Sequence, residues 1–169
     1  MWAFMTTGTV PVLKKITDKH ADIPFHYMKS GTSTLVYYES DKKKGLFVSG
    51  RAYKVLHSFG QIDKKGFVVM ENIPVVEDAQ DIFEDNLNKF LPKLERAYGI
   101  KAIKLLQPHK GLTYCILTQW KSEDAYRTFE HSSMHDFYEE AKLARKPAYF
   151  AERPFTSRYY MLQEDEEEF

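Results

Sequence analysis

Residues 126–142 read YRTFEHSSMHDFYEEAK. His131, His135 and Glu139 recur at intervals of four, which stacks side chains on one face of a helix. Two imidazoles and a carboxylate in that pattern have the chemistry of a metal grip, since helical i, i+4 pairs bind zinc when further ligands join them. The same residues also suit a polar helix entrance. Ser132 and Ser133 favour a helix that starts between the histidines, with Asp136 completing a capping-box-like pair with Ser133. Such a start leaves His131 in the preceding loop and misaligns the pair.

Asn72 is the second residue of interest. It interrupts the apolar run GFVVMENIPV, although asparagine is depleted in strands and a buried amide needs partners. Two readings stand side by side: an amide presented into a pocket, or an edge-strand residue beside Pro74. Aromatic residues are dense nearby. Phe83, Phe90, Phe129, Phe137 and Tyr138 fall at helical spacing, which is more often core than a binding surface. Lys93 and Arg96 late on the same helix read as its wet face. His20, His26, His57 and His109 show no metal spacing. The single cysteine, Cys115, lies in TYCILT and reads as a small core residue.

These residues need elements to position them. WAFMTT (2–7) reads as a strand, followed by a helix with Thr9 as cap and Pro11 in its first turn. Strands follow at 24–29 and 33–40, then a charged turn, DKKKG. LFVSG reads as a short strand and RAYKVLHSFG as a short helix closed by Gly60. The polar stretch QIDKKG (61–66) marks a boundary between an N-terminal α/β half (1–62) and a C-terminal domain (66–163).

In the second half, GFVVMENIPV is a strand. Ile82, Phe83, Leu87, Phe90, Leu91, Leu94 and Tyr98 then recur at steps of three or four on a helix that Pro92 shortens or kinks. IKAIKLLQP and LTYCILTQW are strands. Ser122 starts a short helix and Ser133 a second, with Phe137, Ala141 and Ala144 on one side and Pro147 at its end. RPFTSRYYMLQ is a last strand, and EDEEEF (164–169) an acidic tail. The order β-α-β-β-α-β is the split βαβ, ferredoxin-like pattern. The predicted class is α+β: a ferredoxin-like domain whose open sheet face is covered by the N-terminal half, so that one chain mimics a dimer, or by a second subunit.

Composition excludes several functions. Lys+Arg and Asp+Glu both number 24 in 169 residues, so there is no net charge to offset phosphates and no expectation of nucleic-acid binding. No run approaches the roughly 20 apolar residues of a membrane span. The N-terminus lacks a signal-peptide pattern, and a lone thiol fits a reducing cytosol, so a cytoplasmic location is expected.

The segments AYKVLHSFGQI, GFVVMENIPV, KLLQPHKGLTYCILTQW and EDAYRTF, in this order, resemble the antibiotic-biosynthesis-monooxygenase superfamily. Within it, the chain is similar to the two-part haem-degrading monooxygenases and to the TRAP signal transduction proteins. The resemblance covers nearly the whole chain and implies a small-molecule ligand, haem or another aromatic compound. In haem-degrading members an Asn on the first strand of this domain, a Trp on the helix after the third strand and a His ten residues later carry the chemistry. These positions fall on Asn72, Phe129 and Glu139. Only the Asn matches by identity.

The resemblance therefore assigns Asn72 and Phe129 catalytic positions. It places His135 or Glu139 on the iron, with His131 as a further alternative, and Phe137 in the pocket. Its implied function is a haem-binding, haem-degrading monooxygenase. The alternatives are a TRAP-like stress or signalling protein that has lost haem chemistry, and a cofactor-free monooxygenase of a small aromatic compound.

Overall fold

A computed structural model describes residues 1–143 and 152–163. Eight strands close into one barrel in the order β1-β3-β2-β8-β5-β7-β6-β4. β1 (Trp2–Gly8) leads into α1 (Val10–Thr17), then β2 (His26–Ser30), β3 (Ser33–Ser40) and β4 (Arg51–Phe59). β5 (Phe67–Pro74) leads through a short 3₁₀ turn into α2 (Gln80–Leu94), then β6 (Ile100–Pro108), β7 (Thr113–Trp120), α3 (Glu123–Glu130), α4 (Ser133–Leu143) and β8 (Phe155–Met161). Ala144, Pro147 and the acidic tail lie outside the described residues.

The second half is the expected antiparallel ferredoxin-like sheet, ordered β8-β5-β7-β6. The first half repeats that order as β4-β1-β3-β2, with loop 41–50 where the second half has α3 and α4. The halves join through β2 against β8 and β4 against β6. The open sheet face is thus covered from within the chain. Ala3, Met5, Met28, Leu35, Tyr37, Val68, Met70, Cys115 and Leu117 fill the barrel interior. A second core lies outside the barrel, where Phe83, Leu87, Phe90 and Leu94 of α2 cover Phe67, Val69, Ile73, Ile103, Leu105 and Ile116 of the sheet. Leu13 of α1 packs over Val36 and Tyr27 in a third, smaller core.

Two expectations for the first half are corrected. RAYKVLHSFG is not a helix but β4, and LFVSG forms no strand. Tyr53 and Val55 alternate along one face of β4, a period-2 pattern suited to β-branched and aromatic residues. β4 pairs with β1 on one side and β6 on the other, so its backbone groups are satisfied by partners that local sequence does not reveal. Tyr98 lies beyond the end of α2 and is exposed. Ser122 caps α3 as expected, its side chain accepting from the Ala125 amide at 3.1 Å.

Candidate functional site

The site forms where α3 and α4 lie over β5 and the start of β8. α3 ends at Glu130, and His131 is its C-cap. α4 starts at Ser133, and the His135 amide donates to the Ser132 hydroxyl at 3.3 Å. His131 and His135 therefore do not share a helix, and the i, i+4 imidazole pair does not form. Among the described residues no cluster of three His, Cys, Asp or Glu side chains is arranged to hold a metal ion.

His135 and Glu139 do share α4. His135 Nε2 lies 3.3 Å from Glu139 Oε1. The same carboxylate oxygen accepts from Lys142 Nζ at 2.6 Å. Lys142 also donates to Glu71 Oε2, and its ammonium lies 4.4 Å from the Tyr138 ring centroid. Glu71 is 6% exposed and Lys142 8%, so this pair is largely removed from water, while Glu139 stays half-exposed. Charges buried this way are tolerated only when paired and hydrogen-bonded. Burial first, and then the charge of Glu71, hold the Tyr138 phenol well above its ordinary pKa.

Phe129 is core. It is 5% exposed, with its ring 4.7 Å from Trp120, 6.0 Å from Tyr138 and edge-on to His135 at 5.3 Å. Tyr138 in turn stacks on Phe90 of α2 at 5.6 Å. Trp120 is fully buried and donates from Nε1 to Thr118 Oγ1 at 2.9 Å, which fixes the centre of the cluster.

A cavity of about 350 Å³ opens beside the network, lined by Glu71, Ile73, Tyr126, Glu130, His135, Glu139, Lys142, Phe155 and Arg158 among others. Neither Asn72 nor Phe129 lines it. Asn72 lies on the opposite face of β5 from Glu71 and Ile73, in step with Val68 and Met70, which point into the barrel. It is 1% exposed, and its amide nitrogen makes only long contacts, 3.4 Å to the Met70 carbonyl and 3.5 Å to that of Phe155. Its Oδ1 is buried with no partner. The edge-strand alternative also fails, because β5 is paired on both sides. Phe137 is on the far side of α4, 59% exposed, in a groove between α2 and α4 that also includes Lys93.

The structure thus brings His135 and Glu139 together, sets Phe129 behind them in the core, and separates Asn72 and Phe137 from them. Glu71 and Lys142 are the members that sequence reasoning missed. The available signal was a carboxylate in an apolar strand, which demands a cation. The cavity lining is unlike a cofactor pocket, which is mostly apolar: Glu71, Glu130 and Glu139 stand there with Lys142, Arg158 and His135. Glu139 is already held by Lys142 and His135.

Residues 66–141 match the family described as antibiotic biosynthesis monooxygenase. Signal transduction protein TRAP from Staphylococcus epidermidis is 26% identical over 134 residues, spanning 79% of this chain and 80% of that protein. The Staphylococcus aureus protein of the same name is 26% identical over 132 residues, or 78% of this chain and 77% of its own length.

Among solved structures, one described as a major regulator of staphylococcal pathogenesis superposes with a TM-score of 0.85 at 22% identity, over 96% of this chain and all of that one. A haem-degrading enzyme from Listeria monocytogenes superposes with a TM-score of 0.77 at 21% identity, over 95% of this chain and 99% of its own. At these identities the structural likenesses establish the fold. No helix among the described residues is long and apolar enough to cross a membrane.

Proposed function

We propose that this protein is a TRAP-like signalling or stress-response protein, which keeps the monooxygenase scaffold and works without haem chemistry at α4. The observation that carries this reading is the engagement of Glu139. The residue at the iron-ligand position of haem-degrading relatives is tied to Lys142 at 2.6 Å and, through Lys142, to buried Glu71. Recruiting that carboxylate to a metal would break this contact, which for a half-exposed Glu139 is worth about 1 kcal/mol or less, while Lys142 keeps buried Glu71. The likeness to signal transduction proteins over 79% of the chain supports the same reading.

The test is a haemin titration of the purified protein followed by absorbance, on wild type, His135→Ala and Glu139→Ala. The expected result is no saturable one-to-one Soret shift in any of the three. A second reading, a haem-binding and haem-degrading monooxygenase with His135 as a relocated ligand, is favoured by one feature. His135 lines the cavity and meets Phe129 edge-on. A saturable Soret shift that His135→Ala abolishes would establish this second reading and overturn the first.

A further inference from the structure

The repeated strand order gives each half an outer face bounded by its first strand, its last strand and the connection that precedes the last strand. In the second half that place holds the cavity under α4. In the first half no helix covers it. A cleft of about 480 Å³ lies there instead, between loop 41–50, the start of β4, Phe4 of β1 and the β6–β7 turn.

The charge of this cleft is of one sign, unlike the α4 cavity, where Glu71, Glu130 and Glu139 stand with Lys142 and Arg158. Lys43, Arg51, His109 and Lys110 line it, and none of its lining residues is acidic. Among the described residues, no ion pair involves Lys43, Arg51 or Lys110. Arg51 hydrogen-bonds the Tyr53 side chain, and a cleft lined by cations with no carboxylate among them attracts an anion. Phe4 and Phe47 supply an apolar wall.

The cleft is built rather than incidental. Trp2 stands between two of its basic side chains, with Lys43 Nζ 5.6 Å over its ring and the His109 ring edge-on at 5.5 Å. The His109 amide donates to the Ala52 carbonyl at 2.9 Å, and the Leu46 amide to the Tyr38 hydroxyl at 2.7 Å, which tie both loops to the barrel. Gly50 has φ +136°, and a Cβ there would lie 2.5 Å from the Met5 carbonyl oxygen, so only glycine lets the loop approach so closely.

We infer that this cleft binds a small organic anion, in which a phosphate or carboxylate group is joined to an apolar or aromatic body. The charged group would meet Lys43, Arg51 and Lys110, and the body would lie against Phe4 and Phe47. This site is separate from the α4 cavity, and shares no lining residue with it. It therefore stands or falls independently of the function proposed above.

The test is an amide NMR titration of the full chain with phenyl phosphate and with benzoate, using benzyl alcohol as the uncharged control. Saturable shifts of the Gly45, Gly50, Gly111 and Lys110 amides are expected with at least one anion and not with the alcohol. The stronger of the two anions names the charged group. In Lys43→Gln/Lys110→Gln, whose changes fall on exposed side chains, the affinity should drop by about tenfold or more. Equal shifts with benzyl alcohol, shifts centred on Glu139 and Lys142, no saturable shift with either anion, or unchanged affinity in the double variant would each overturn the proposal.

Discussion

Lys142 and Glu71 meet across the interface between α4 and β5, 71 residues apart in sequence and both nearly inaccessible to water. The contact pins α4 to the sheet. Lys142→Met leaves the Glu71 carboxylate buried without its cation and should cost about 3–5 kcal/mol of stability. Glu71→Leu/Lys142→Met removes both charges and should recover most of that loss. Urea denaturation of the two variants checks this. A single variant as stable as wild type would show that the pair does not hold α4 in place.

Phe129 and Phe137 separate packing from exposure on adjacent helices. Phe129 is wedged among Trp120, Tyr138 and His135, so Phe129→Ala should cost about 3–5 kcal/mol. Phe137 is largely exposed, and Phe137→Ala should stay within about 0.5 kcal/mol of wild type. Comparison of urea midpoints at constant m-value reads both.

Cys115 gives stability a pH dependence. Burial pushes its thiol up from an ordinary value of 9.0 to about 12. Between those values the unfolded chain releases the proton while the folded chain retains it, so stability present below about pH 9 declines as pH rises toward about 12. Tyr37 and Tyr138, also raised by burial, act in the same direction. Cys115→Ala should flatten part of this alkaline decline, as measured by urea midpoints at neutral and alkaline pH. The thiol of the folded protein should also resist alkylation until denaturant is added.

The Ser122 cap offers a local test. Ser122→Ala removes the acceptor for the Ala125 amide and should cost about 1 kcal/mol, with faster amide exchange confined to the first turn of α3. Uniform acceleration across the molecule would mean that the cap acts on global stability alone.

The sequence by itself determined the order of elements in the second half, the Ser122 cap, the helix start after His131 and the buried state of Cys115. These depend on signals a few residues long: capping side chains, turn residues and a 3.6-residue period. Residues 51–59 escaped because their apolar spacing suits a short helix as well as a strand, and only pairing with β1 and β6 chose the strand. Tertiary structure alone decided the site. All eight residues of β5 are buried, so no polar alternation marks which side chains face the helices and which face the barrel. That parity sends Asn72 inward and Glu71 outward to Lys142, a partner 71 residues away. The basic cleft has the same origin. Lys43 and Lys110 read in sequence as turn residues and Arg51 as the start of a short helix, and it is closure of the barrel that sets loop 41–50 beside the β6–β7 turn.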